Sequence, residues 1–219
     1  YLGLFPEDFE IEAERLIRFW VAEGFIQQAE GETFEETAAE YLNELIDRNL
    51  IQVAKRNWMR IGCFRVHDLL RDFAIEKSKE LNFLHINDGN VHSALSPCKH
   101  RRLASLNCGL KRFASFDQSS NLHLRTLLLF NSENESAEIG ELQFLYKKLR
   151  LLRVLDLDKD MFKPYQETEQ VSFFDAEVIH LRYFRISGSK KNKIPPSIGN
   201  LQTLQTLEFS GSYSPIMLP

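Results

Sequence analysis

At 219 residues and 43% hydrophobic content, the chain suits one to two domains with ordinary cores, and no apolar run approaches the ~18 residues that would cross a bilayer. Its three cysteines, Cys63, Cys98 and Cys108, follow no C-x-x-C spacing, which excludes a disulfide-stapled scaffold and a zinc ribbon and points to a reducing compartment. The net charge of −4 is uneven: residues 1–50 carry 13 acidic and 3 basic side chains, residues 51–90 carry 5 and 7, and residues 91–219 carry 13 and 17. Either the halves attract each other or face different partners, or the acids are solvated helix faces.

The first ninety residues predict helices, a hairpin and a further helix. After a turn at Phe5-Pro6-Glu7-Asp8, Ala13, Leu16, Ile17, Trp20 and Val21 recur at helical spacing, and Gly24 supplies a left-handed stop. Thr33 with Glu36 forms a capping box ahead of a second helix. Its expected buried stripe is Phe34, Ala38, Tyr41, Leu42, Leu45 and Ile46. Leu50–Ala54 and Met59–Val66 read as strands around a Lys55–Trp58 turn. A third helix is expected over Asp68–Glu80, burying Leu69, Leu70, Phe73 and Ala74. This order is a winged-helix arrangement.

Val66-His67-Asp68 falls where the second strand turns into that third helix. A carboxylate there can accept hydrogen bonds from orphan N–H groups of the first turn and favours the positive end of the helix. The neighbouring imidazole is either a core residue with a satisfied partner or one wall of a phosphate site.

The second half repeats itself. Apolar residues recur at i, i+3 and i+5 in Leu124/Leu127/Leu129, Leu152/Leu155/Leu157, Leu181/Phe184/Ile186 and Leu204/Leu207/Phe209, with a weaker copy at Leu103/Leu106/Cys108. The intervals of 21, 28, 29 and 23 residues fit leucine-rich repeats. In each copy the last two members point inward and the residue between them faces the concave side. Those intermediate residues are Leu128, Asp156, Arg185 and Glu208, an apolar and mixed-charge set that suits a protein partner better than a nucleic-acid backbone. Ile194-Pro195, Ile198 and Leu201 form an ordered return, Asp158–Thr168 an exposed loop, and residues 87–99, with Gly89, Ser93, Ser96 and Pro97, a linker. The fold class is α+β: a winged helix over 1–86, then the N-terminal part of a leucine-rich-repeat solenoid over 100–219.

These residues carry a resemblance. Tyr1-Leu2-Gly3-Leu4-Phe5-Pro6-Glu7-Asp8 resembles the tail of the Leu-Phe-Pro-Glu-Asp motif of plant intracellular nucleotide-binding, leucine-rich-repeat immune receptors. Leu16 to Ile26 resembles the helix that follows it, and Val66-His67-Asp68 is similar to the family's Met-His-Asp signature with valine for methionine. The resemblance extends over essentially the whole chain. It implies a segment of a disease-resistance protein of innate immunity, working as part of an ADP/ATP-dependent switch. His67 would read the β-phosphate of ADP, Asp68 would brace its helix, and Val66, Phe5, Pro6 and Trp20 would pack the motifs.

The resemblance also implies partners: the upstream nucleotide-binding domain of the same chain, and a pathogen effector or guarded host protein at the repeats. Nucleic acid and a transmembrane segment are not expected. It implies an intracellular, cytoplasmic location, and leaves membrane association and oligomerisation on activation open. No G-x-x-x-x-G-K-[ST] occurs here, so ADP or ATP belongs to the full-length parent and this segment binds none alone. No nucleophile–base spacing or nucleophile elbow occurs either, so no enzyme and no metal site is expected within the segment. Two other readings stand beside this one. The first is a repeat adaptor without nucleotide switching. The second is a winged-helix DNA regulator, against which Glu35, Glu36, Glu40, Glu44 and Asp47 on the second helix would repel phosphates.

Overall fold

The helical spacing that begins at Ala13 produces α1, Ala13–Glu23, and Gly24 closes it in the left-handed region at φ 81°. A computed structural model describes residues 1–58, 60–87, 100–115, 122–130, 136–137, 139–162, 179–187 and 196–210. Two compact units divide after Leu84.

In the first unit a 3-10 turn, Leu2–Leu4, precedes β1, Ile11–Glu12, and α1. Helix α2, Phe34–Asp47, opens on the expected capping box. The Glu36 N–H donates to Thr33 Oγ1 at 3.2 Å and the Thr33 N–H donates to Glu36 Oε2 at 2.8 Å. That backbone bond from Thr33 holds the Glu36 carboxyl below its ordinary range. Strands β2, Ile51–Asn57, and β3, Arg60–Val66, form the wing, and β1 joins β3 to complete an antiparallel sheet in the order β1-β3-β2. Helix α3 spans Asp68–Glu80 as expected. The core is Leu4, Phe5, Ile11, Leu16, Phe19, Leu42 and Phe64, all fully buried. Each such side chain contributes roughly 1.5–3 kcal/mol by leaving water.

Several expected details change. Phe34 and Tyr41 are substantially exposed, because Thr37, Ala38 and Leu42 form the buried side of α2. Phe19, absent from the expected stripe of α1, is fully buried. The wing strands run past the expected Lys55–Trp58 turn through Asn57, because register shifts between Val53 and Arg56 let the ladder continue. The tip is therefore Trp58, at φ 56°. Residue 59 lies outside the described residues.

The second unit is a parallel sheet with its returns. Its strands are β4, His85–Asn87; β5, Arg102–Leu106; β6, Thr126–Phe130; β7, Ser136–Ala137; β8, Val154–Phe162; β9, Tyr183–Ser187; and β10, Thr206–Ser210. The order is β10-β9-β8-β6-β5-β4, with β7 on the far end of β8. Helices α4, Leu110–Ser115, and α5, Ile139–Lys148, and a 3-10 turn, Pro196–Asn200, lie in the returns. Leu127, Leu155, Phe184 and Leu207 stand in register, as do Leu129, Leu157 and Ile186. They pack on one core with Leu142, Leu145 and Leu149 of the return, and Ile198 and Leu201 close it as expected.

The weak copy is out of phase. Leu103 pairs with Leu127, not with Leu124, so the first aligned set is His100/Leu103/Ser105. Its polar members hid the phase from a search for leucines. His85–Asn87 aligns a strand earlier still, His85 with Leu103. The winged unit thus ends two residues before the expected 86, because ladder pairing draws His85 and Ile86 into the second sheet. Asn87, expected to open the linker, is in that strand, and 88–99 lie outside the described residues. Asp158 to Phe162, expected as loop, continue β8, where β7 and β9 supply partners; 163–168 lie outside the described residues.

Candidate functional site

Strand β3 ends at Val66, half-buried and paired with Ile51, and the chain turns into α3 within one residue. His67 is the N-cap, extended at φ −67°, ψ 135°, and its side chain makes no capping hydrogen bond. Its carbonyl accepts the Arg71 N–H at 2.9 Å, closing the first turn. The ring is exposed, as is Asp68, which stands at the first helical position, one residue beyond the cap. The outer surface therefore carries an imidazole, a helix N-terminus with orphan N–H groups, and a carboxylate.

What holds this junction is the N-terminal segment. Arg71 Nε donates to the carbonyl oxygen of Phe5 at 3.0 Å. The backbone of Gly3 lies so close to α3 that a Cβ there would stand 3.0 Å from Ile75 Cγ1. The Phe5 ring is buried in turn, 5.8 Å from that of Phe9 and 6.2 Å from that of Phe19, with the buried Arg15 guanidinium 5.7–5.9 Å from all three. Pro6 is half-buried and its carbonyl accepts the Phe9 N–H, while Trp20 is buried. The two motifs thus meet in space: the first is the seat on which the helix of the second rests.

The packed face of α3 differs from expectation. Leu69 is 77% exposed and Phe73 55%, whereas Arg71, Ala74 and Ile75 are half-buried and Ser78 is buried. Spacing of 71, 74, 75 and 78 is a helical stripe. Its polar members are satisfied locally, Arg71 by Phe5 and Ser78 by donating to the Ala74 carbonyl at 2.5 Å. A search for apolar periodicity selects the leucines and passes over a stripe that begins with arginine. Gly3, Arg71 and Arg15 are the residues that sequence reasoning missed.

On the wing, Lys55 Nζ lies 2.9 Å and Arg65 Nη2 2.8 Å from the Glu10 carboxylate. Hydrogen bonds from Lys55 and then Arg65 hold the Glu10 carboxyl below its ordinary 4.5. Glu35, Glu36, Glu40, Glu44 and Asp47 are all exposed on α2, an acidic face that repels a phosphate backbone.

At the repeats, Leu128, Asp156, Arg185 and Glu208 stand in one row across β6, β8, β9 and β10. Leu128 and Asp156, however, are fully buried and present nothing to a partner. The run Thr126–Phe130 lacks polar alternation, as in a strand buried on both faces, and all five residues are buried. Arg185 and Glu208 retain partial exposure. Arg185 Nη1 lies 3.8 Å from Asp158 Oδ1 and its Nε 3.7 Å from Glu208 Oε2, and Tyr183 Oη donates to Glu208 Oε2 at 2.9 Å. Cys63 is half-buried, its thiol pushed up by burial, and Cys108 is buried; Cys98 lies outside the described residues. No helix among the described residues is long and apolar enough to cross a membrane.

A wing packed on α1 and α2, with a His-Asp junction seated on an N-terminal Phe-Pro turn, defines a winged helix of the disease-resistance type: residues 4–74 match the disease resistance protein winged helix domain. Over 97% of its length the chain is 36% identical to Putative disease resistance RPP13-like protein 3 and 37% identical to Disease resistance protein RPP13, both of Arabidopsis thaliana, covering 24% of each. It is 29% identical to Disease resistance protein Pik-2 of Oryza sativa subsp. japonica, over 97% of the chain and 20% of that protein. The chain therefore spans about a quarter of the length of these curated relatives. It belongs to the plant disease-resistance proteins of the nucleotide-binding, leucine-rich-repeat class, as a segment holding the winged helix and the repeat region that follows.

Proposed function

We propose that this segment is the sensing and restraining part of an intracellular immune switch driven by ADP and ATP. His67 contacts the β-phosphate of ADP held by an upstream nucleotide-binding domain, and this keeps the receptor at rest. The repeats recognise a pathogen effector or a guarded host protein and restrain activation. The observation that carries the reading is the exposed imidazole of His67, free of any capping bond, at the mouth of a helix whose seat is fixed by Gly3 and the Arg71–Phe5 bond.

The imidazole and the first-turn N–H groups can donate to a phosphate oxygen, and Asp68 at the first helical position favours the positive end of the helix that presents them. A charge-assisted hydrogen bond of this kind contributes about 1.5–3 kcal/mol, the size of a typical coupling free energy of about 1–3 kcal/mol. It biases a switch and does not by itself hold a nucleotide. Leu69 and Phe73, both exposed and one turn apart on α3 just after His67, provide an apolar shoulder for the same docking.

The test uses the full-length parent carrying His67→Ala or Asp68→Val, expressed at normal level. Loss of the contact should lower ADP retention about ten- to a hundredfold and give signalling without a pathogen. Variants that keep ADP and stay silent until challenged would defeat the latch and favour a repeat adaptor without nucleotide switching.

A further inference from the structure

Arg71 stands one turn beyond His67 on α3, and its backbone N–H donates to the His67 carbonyl at 2.9 Å. A helical side chain leans toward the N-terminus of its helix, and a long one lies over the turn before its own Cα. The guanidinium of Arg71 therefore lies over the turn that carries His67, with its Nε pinned to the Phe5 carbonyl at 3.0 Å.

That bond uses only one of the N–H donors of a guanidinium. Arg18, Arg48 and Arg65 each sit on a carboxylate. Arg71 does not: among the described residues it makes no ion pair, even with Asp68 three positions back, and no other side-chain hydrogen bond. The residue is half-buried, yet neither Nη is among the buried atoms left without a partner, so both amino groups reach the surface. The result is a fixed plane of cationic donors, anchored at Nε and open at Nη.

We infer that Arg71 is a second ligand of the anion that His67 contacts, its Nη groups donating to phosphate oxygens beside the imidazole. The inference rests on the reading of His67 given above and extends it from one side chain to a pair. Arginine suits the task because its fork presents parallel N–H groups to a phosphate. The Phe5 bond fixes the plane of that fork before the anion arrives, so little side-chain freedom is lost on binding. The Phe-Pro turn thereby aims a donor of the His-Asp junction as well as seating its helix.

The full-length parent loaded with ADP tests it, through the rate of ADP release. Arg71→Met should speed release about ten- to a hundredfold, the loss of one charge-assisted hydrogen bond. Gly3→Ala crowds Ile75 and disturbs the same seat but leaves the cation in place, so its release should stay close to wild type. Arg71→Lys keeps the charge and gives up the fork. Its release should fall between wild type and Arg71→Met, and it carries the test should Arg71→Met not fold. The phosphorus-31 resonance of the bound β-phosphate should shift in both Arg71 variants and hold still in Gly3→Ala. Release quickened by His67→Ala but not by Arg71→Met, or quickened equally by Arg71→Met and Gly3→Ala, would overturn the second ligand. Release indifferent to His67→Ala but quickened by Arg71→Met would instead remove His67 from the anion and leave Arg71 on it. Release indifferent to both would end both readings.

Discussion

The guanidinium of Arg71 and the carbonyl of Phe5, 66 positions apart in the chain, are joined by a hydrogen bond of 3.0 Å. It fastens the helix that follows His67 to the turn that precedes the first helix. Replacing Arg71 by Met keeps the aliphatic stem and removes the donor. The expected loss is about 1.5–3 kcal/mol, the range for a bond from a charged group. Urea unfolding should show it as a lower midpoint at unchanged slope, and amide exchange should quicken in α3 first. An unchanged exchange pattern there would show that the bond does not hold the helix.

Gly3 is a second fastening, made by absence of a side chain. A methyl group there meets Ile75 Cγ1 at 3.0 Å, so Gly3→Val should cost about 1–3 kcal/mol through overpacking. Removing the neighbour's Cγ1 relieves it: Gly3→Ala combined with Ile75→Ala should unfold at a higher urea midpoint than the two single losses, added, would give. Strict additivity would place the clash elsewhere.

The wing is tied to β1 by Glu10, and this tie is pH-dependent. Its folded carboxyl titrates below the ordinary 4.5 because Lys55 and Arg65 bond the charged form. The contribution is therefore present above the unfolded value and disappears as pH falls through the lowered one. A carbon-13 titration of the Glu10 carboxyl should give a midpoint below 4.5, and Lys55→Gln should move it upward. Being exposed, the tie should weaken with salt.

In the repeats, Leu155 is fully buried at the centre of the register while Leu207 is only partly buried. Leu155→Ala should cost about 2–5 kcal/mol and Leu207→Ala distinctly less, read by unfolding of the repeat unit. Equal losses would contradict the graded burial.

Much of this was legible in the chain itself. Thr33 with Glu36, Gly24 and the span Asp68–Glu80 follow from local chemistry, and four of the five repeat phases follow from leucine spacing, because one face of a strand ladder tolerates no slip. What could not be read was which side of α3 is packed, since Arg71 and Ser78 join a buried stripe only through bonds to Phe5 and Ala74. Nor could the phase of the first strands be read, where His100 and Ser105 stand in leucine positions. The burial of Leu128 was open to reading in the unbroken apolar run of its strand, whereas Asp156 is a carboxylate whose full burial its own strand does not announce. At the candidate site, Val66-His67-Asp68 was visible as a motif, but its seat on Gly3 and Phe5 required coordinates.

The backbone enters each of four successive strands in the same way. The carbonyl of Arg101 accepts the N–H groups of Arg125 and Thr126, that of Arg125 those of Arg153 and Val154, that of Arg153 those of Arg182 and Tyr183, and that of Arg182 those of Gln205 and Thr206. Every rung is thereby clocked where it starts, whatever length of chain has gone before. Insertions in the connecting segments should leave the ruler's marks in place, whereas adding a single residue between Leu152 and Leu157 should turn core to solvent for the rest of that strand alone. Such a scaffold can change its outline freely over generations while its grid stays fixed.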